Sequence, residues 1–184
     1  MGMIVQPGQM QSLDTVALAR WLLGKVLVRV DVAGRYEHVI CEVEAYHGES
    51  DLACHASKGR TGRTEVMYRA GGIWYIYLCY GVHEMLNLVT GPENYPAAVL
   101  IRGVADIIGP GRLTKRLQID RRLNGAPAAP ASGLHVEDHG IKIPPKTIIA
   151  GPRVGVHYAG PVWGVKPWRF RIDPAKLKQG GRVG

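Results

Sequence analysis

Phenylalanine occurs once in this chain and cysteine three times, and no stretch of apolar residues approaches the length needed to span a membrane. The odd cysteine count and the lack of any Cys-x-x-Cys argue against a disulfide framework. Cys41, Cys54 and Cys79 sit in apolar contexts and are read as reduced core thiols of a cytosolic protein. The opening MGMIVQPGQMQSLD has neither the basic start nor the continuous apolar run of a secretory signal. Gly2 is not followed by Ser or Thr at the place myristoylation requires, so a cytoplasmic protein is expected. Acidic residues are also in deficit, 15 Asp and Glu against 23 Lys and Arg, a net charge of +8. That balance favours a polyanionic partner, although a solvated basic surface would show the same charge. What is present, 46% hydrophobic residues in a chain of 184, suffices for one domain with a real core.

Periodicity outlines the organisation. In TVALARWLLG, Val16, Ala19, Leu22 and Leu23 fit one helix face, with Gly24 as a C-cap. KVLVRVDV and YEHVICEVEAY, separated by Ala33-Gly34, predict an antiparallel hairpin. IWYIYLCY, HEMLNLVT and AAVLIRGV predict three further strands, the last central. GPGRLTKRLQI starts like a helix, with Leu113 and Leu117 four apart, and RVGVHY and WRFRI predict two short closing strands. NGAPAAPAS, residues 124–132, reads as a mobile surface loop, and residues 1–12 and 174–184 as flexible tails. The expectation is a mixed α/β (α+β) fold, one domain spanning 1–184, with a largely antiparallel sheet flanked by helices.

The segment VICEVEAYHGESDLACHASKGRTGR, Val39 to Arg63, starts as a strand and ends as a basic loop. Alternation puts Val39, Cys41, Val43 and Ala45 on a core face and Ile40, Glu42, Glu44 and Tyr46 on the other. Two carboxylates beside a phenol could act as a base or could simply be strand-edge charges. His47, Asp51, Cys54 and His55 match no zinc spacing. Lys58, Arg60 and Arg63 suit phosphate contacts, and equally suit a solvated loop. Further on, Trp74, Tyr75, Tyr77 and Tyr80 crowd into seven residues. Tyr77 lies opposite Trp74 and Ile76, on a face it could share with Tyr46. Tyr80 precedes Gly81 at a hairpin tip, where a ring can wedge between stacked bases or pack on its own hairpin.

Taken in order, EVEAYHGESDLACH, YIYLCYGVHEMLN, VLIRG, GPGRLTKRL and RVGV resemble the alkyladenine DNA glycosylases, the mammalian type of 3-methyladenine DNA glycosylase, over nearly the whole chain. The resemblance implies a compact single-domain fold with a curved sheet and a protruding β-hairpin, a monomer, no metal and no other cofactor. The implied partner is double-stranded DNA containing a damaged purine, which is flipped into a pocket and released by hydrolysis. It implies that Glu44 is the general base, that Arg102 and the main-chain carbonyl of Val154 hold the water, and that Tyr46, His55 and Tyr77 sandwich the base. The backbone around Ala53 and His55 would read the base edge, and Asn87 would clash with a guanine amino group. Tyr80 would fill the gap in the duplex and Arg60 would contact its backbone. Arg63, and Arg112 and Lys115 beside the Gly109-Pro110-Gly111 turn, are further candidates for phosphate contacts.

Two positions depart from the family pattern: Gly62 stands where proline is expected, and Arg171 where an aromatic is expected. Glu42 is read as a structural ion pair with a nearby arginine. A catalytically silent DNA-binding module and a hydrolase of free nucleosides are the competing classes. A lyase step is disfavoured, because no lysine stands among the matching positions to supply an amine nucleophile.

Overall fold

A computed structural model of the chain describes residues 2–177. Along it run β1 (Met3–Ile4), α1 (Thr15–Leu22), β2 (Val26–Asp31), β3 (Gly34–His47), β4 (Trp74–Cys79), β5 (His83–Val89), β6 (Ala97–Val104), β7 (Ile107–Ile108) and α2 (Pro110–Arg116). They are followed by β8 (Leu134–Asp138), β9 (Ile149–Gly151), α3 (Gly160–Trp163), β10 (Arg169–Arg171) and α4 (Pro174–Leu177), with short 3-10 turns between them. All strand pairs are antiparallel, in the order β1-β8-β2-β3-β6-β5-β4, with β7 on β6 and with β10 between β3 and β9. The strands expected from Val26 to Val104 and at Arg169–Arg171, and both helices, are found where periodicity placed them. Among the described residues no helix is long and apolar enough to cross a membrane.

Strand β3 positions the site. Its first half pairs with β2, and from Ile40 onward it pairs with β6 on one side and β10 on the other. Register shifts at Ile40, Glu42 and Val43 mark a bulge, which bends the strand and breaks strict alternation. Ile40, expected on the outer face, is fully buried in the main core beside Cys41, whereas Val39 is only half-buried. Beyond the bulge the alternation holds, with Val43 and Ala45 in the core and Glu42, Glu44 and Tyr46 facing the other way. In β4, Trp74 and Ile76 join the main core and Tyr75 and Tyr77 a second cluster.

Other expectations fail for identifiable reasons. RVGVHY is not a strand: a turn at Val154–Gly155 and a 3-10 turn at His157–Ala159 replace it. Gly155 has φ +74°, outside the extended region, and burial recurs every third residue, at Arg153, Val156 and Ala159. The 124–132 segment is pinned to the sheet edge rather than loose. Trp74 N–H donates to Ala126 C=O at 2.9 Å and Ile76 N–H to Asn124 Oδ1 at 2.9 Å, which covers unpaired groups of β4, and Ala128 N–H donates to Gly72 C=O just before that strand at 2.8 Å. The N-terminal segment is not a tail, since β1 pairs with β8 and Met10 is fully buried. At the other end, Leu177 of α4 packs on the core, and the rest of the expected tail, 178–184, lies outside the described residues.

The basic loop after β3 is organised by reciprocal caps. Thr64 Oγ1 accepts from Thr61 N–H at 2.8 Å, Thr61 Oγ1 accepts from Thr64 N–H at 3.3 Å, and Glu65 N–H reaches Thr61 C=O at 2.8 Å. Gly62 therefore occupies the first position inside a helical turn, where proline is favoured, and a Cβ there meets nothing within 4 Å. Gly62→Pro is expected to stabilise the protein by about 0.4–1 kcal/mol by narrowing the unfolded ensemble. A higher urea midpoint at unchanged slope would bear this out, and a lower one would show that residue 62 needs a conformation proline denies.

Candidate active site

A cleft of about 560 Å³ opens between the bulged half of β3, the β4–β5 hairpin and the Arg153–Tyr158 loop. Glu44, Tyr46, Ala53, His55, Tyr77, Asn87, Arg102 and Val154, distant in sequence, all line it, and Arg63 and Tyr80 stand at it as well. Arg112 and Lys115 lie on exposed positions of α2, outside the lining. Arg60 is also outside, held by Glu65 through two bonds of 2.7 Å and by Asn94 at 3.1 Å, so it must leave these partners to reach a phosphate.

Glu44 is completely buried. Its Oε2 accepts from Tyr46 Oη at 2.8 Å and its Oε1 from Val154 N–H at 2.7 Å, with Arg102 Nε at 3.6 Å. The contact seen for Val154 is thus its amide, a different group from the carbonyl the resemblance implied. Burial raises the Glu44 carboxyl above the ordinary carboxylate range, against the opposing pull of Arg102, the Val154 amide, Tyr46 and Arg169. The same desolvation, reinforced by the Glu44 charge, pushes the Tyr46 phenol well up, so Tyr46 keeps its proton and donates it to Glu44.

Arg102 is aimed from behind. Glu42, nearly buried, accepts from Arg102 Nε at 3.3 Å and from Arg169 Nε at 2.7 Å, so the expected structural ion pair exists and has two arginines. Arg169 stands on β10, directly across from Glu44 in register. Exposed Arg171, two residues on, has no contact that explains its departure from the family pattern.

The aromatic walls are set by hydrogen bonds. His55 Nδ1 lies 3.0 Å from Tyr75 Oη, and its ring meets Tyr77 edge-on at 4.5 Å. Burial, then the nearby Arg63 and Lys58, lower His55 to about 4, so it is neutral at pH 7. Asn87 Nδ2 donates to Tyr75 C=O at 3.1 Å and Met85 C=O at 3.3 Å, which fixes its amide in the wall. Tyr80 projects from the hairpin tip, 93% exposed, with φ +51°. Cys79, expected in the core, is only half-buried and lines the cleft.

His47 turns away: its Nε2 lies 2.8 Å from Tyr95 Oη and its Nδ1 3.3 Å from Thr15 Oγ1. Sequence reasoning missed Arg153 and Asp51, a fully buried pair. Arg153 Nη1 and Nη2 donate to Asp51 Oδ2 at 2.5 Å and Oδ1 at 2.8 Å, and Nη1 also to Ala45 C=O at 2.8 Å. The guanidinium lies 4.7 Å from the Tyr46 ring centroid and 5.2 Å from that of Trp168. It therefore ties β3, the loop after it and the Val154 amide into one unit. Partners 102 residues apart leave no spacing signal.

Residues 9–176 match the family model described as methylpurine-DNA glycosylase. The chain is 45% identical to a protein of Methanocella arvoryzae, over 91% of this chain and 92% of that one. It is 43% identical to a protein of Psychrobacter cryohalolentis, over 85% of each, and 42% identical to one of Anaeromyxobacter dehalogenans, over 90% of this chain and 82% of that one. All three relatives bear the name "Putative 3-methyladenine DNA glycosylase". A match over almost the full length, on a chain whose motif residues converge on one cleft, means that this protein belongs to the methylpurine-DNA glycosylase family.

Proposed function

We propose that the protein is a monofunctional hydrolase of base-excision repair, acting as a cytoplasmic monomer on double-stranded DNA, which flips an alkylated or deaminated purine into the cleft and cuts its N-glycosidic bond. The observation that carries this reading is one ionisable carboxylate, Glu44, buried at the wall of an aromatic cleft with its two oxygens engaged by Tyr46 and Val154. The water oxygen attacks C1′ of the sugar, Glu44 takes the water's proton, and the bond electrons leave with the base. A cationic alkylpurine departs neutral, so one base suffices, and the negative Glu44 also stabilises the positive charge building on the sugar. Arg102 holds the water beside Glu44, with the Val154 carbonyl as its other ligand. Tyr46, His55 and Tyr77 stack on the flipped base, favouring cationic lesions through cation–π attraction. Asn87 excludes the guanine amino group, and the main chain at Ala53 and His55 reads the base edge.

Duplex DNA as substrate is supported by the net charge of +8 and by the exposed Tyr80 at the hairpin tip, which fills the gap and offsets unstacking. Arg60, Arg63, Arg112 and Lys115 supply backbone contacts. Tyr80→Ala is expected to leave thermal stability unchanged, since the ring is almost wholly in solvent, and to weaken binding to a lesion-containing duplex by about 1–3 kcal/mol, the usual worth of one aromatic–base stack. Unaltered duplex affinity in a titration would assign the ring to packing on its own hairpin. The reading as a whole is tested by base release from a methylated duplex, and a silent binding module would bind it without releasing a base.

A further inference from the structure

Two guanidinium groups lie over the tyrosine rings of the cleft, and they are held very differently. Arg153, over Tyr46, is buried and locked by Asp51. Arg63 lies 4.9 Å from the Tyr77 ring centroid and lines the cleft, yet it is exposed, and no carboxylate among the described residues pairs with it. Its neighbour Arg60, by contrast, is clamped by Glu65. The turn that carries Arg63 is fixed by the Thr61–Thr64 caps, so the backbone is anchored, while the exposed side chain is held over the cleft by neutral tyrosines alone. A guanidinium is a planar cation, close in size and charge to the six-membered half of a cationic purine, and it stacks on aromatic faces in the same way. The Tyr77 ring also meets His55 and Tyr75, at 4.5 and 5.4 Å between ring centroids; Tyr75 carries no positive charge and His55 is neutral at pH 7, so Arg63 supplies the positive charge there.

We propose that Arg63 is a placeholder that governs selectivity: its guanidinium occupies the planar-cation position over Tyr77 until a DNA phosphate draws it away and a cationic alkylpurine takes that position. This rests on reading the cleft as the base pocket. Exchange of one planar cation for another leaves the attraction to the ring nearly balanced, and the guanidinium gains a phosphate. A normal, neutral base entering the cleft has to displace the cation without replacing its attraction, which disfavours it by about two- to fivefold on the usual scale of exposed cation–π contacts. Phosphate contact and opening of the base position are thereby one event.

The test uses the fixed cation 3,9-dimethyladeninium as a soluble probe of the cleft, and a duplex with a stable abasic analogue as a probe of backbone contacts, with wild type, Arg63→Ala and Arg63→Lys. Arg63→Ala should bind the free cation about two- to fivefold more tightly than wild type, because its competitor is gone. The same variant should bind the duplex more weakly, with a plot of log affinity against log salt shallower by about one phosphate contact. Arg63→Lys should keep the salt slope and bind the cation with intermediate affinity. Cation affinity no higher than wild type in Arg63→Ala, or an unchanged salt slope, would overturn the proposal. If Arg63→Ala does not fold, Arg63→Lys decides, and a cation affinity equal to wild type's overturns it. Base release by wild type from a methylated duplex is measured in parallel. The opposed changes without any base release retain the placeholder and remove the glycosylase reading, and release without those changes does the reverse.

Discussion

Glu44→Gln is expected to slow base release by about 10²–10⁴-fold or more, the range for loss of a positioned general base, while leaving duplex affinity and the fold in place. Glutamine keeps the shape: its Oε1 still accepts the Val154 N–H and its amide NH2 donates to the Tyr46 hydroxyl oxygen, but it can neither take the water's proton nor offer a negative charge to the sugar. Stability should not fall, because the substitution removes a carboxylate whose ionised form is disfavoured by burial. Single-turnover release with excess protein separates this loss from slow product dissociation, and a rate within a few fold of wild type would show that another group is the base.

The pH dependence follows from the same burial. The Glu44 carboxyl is raised in the folded protein, so its ionised, working form is lost as pH falls through a point above the ordinary carboxylate range. Release from a cationic lesion should therefore decline on the acid side earlier than an exposed glutamate would dictate. Folding responds in the opposite sense to this group: a raised folded value means that its protonated form favours the native state at low pH and that this contribution is lost as pH rises through the folded value. His55 works the other way. Its folded value of about 4 lies below the ordinary value of 6.5, so its contribution to stability is present above 6.5 and is lost as pH falls through 4.

Asp51→Asn should be the most destabilising single change near the cleft, costing about 3–5 kcal/mol, because it leaves the Arg153 charge buried without a counter-ion. Arg153 Nε already has no partner, so the guanidinium has nothing in reserve. For a chain of this size the loss corresponds to a fall in Tm of about 6–20 °C, read by calorimetry. Activity should fall with it, since Arg153 precedes Val154, whose amide contacts Glu44, and lies against the Tyr46 ring. The double substitution Asp51→Leu with Arg153→Met should recover part of the stability, because it removes both charges together. A drop under about 1 kcal/mol for Asp51→Asn, the scale of an exposed pair, would mean that water reaches the ion pair.

The strands were legible from composition and punctuation more than from alternation of burial. β2, the second half of β3, β4, β5 and β6 are instead runs of branched and aromatic residues between turn signals, buried along continuous stretches, and Glu44, Tyr46 and Tyr77 were placed on the cleft side by parity alone. Parity failed where the backbone breaks it. The bulge at Ile40–Val43 moves Ile40 into the core, and Gly155 turns RVGVHY out of extension. Strand β8 escaped notice because its sequence, LHVED, buries His135 and Glu137. Burial opposes the Glu137 charge, but Arg35, His139 and His135 hold the carboxyl down at about 2. The Arg153–Asp51 and Glu42–Arg102–Arg169 pairs join residues that only the tertiary fold brings together, so no local pattern announces them.

The central claim, hydrolysis of an N-glycosidic bond in damaged DNA by a Glu44-activated water, is tested most directly by following release of free base from a methylated duplex in ¹⁸O-labelled water. The account predicts free 3-methyladenine and an abasic strand with one ¹⁸O at C1′, both formed about 10²–10⁴-fold more slowly with Glu44→Gln. Intact duplex binding by the wild type with no base released would contradict it.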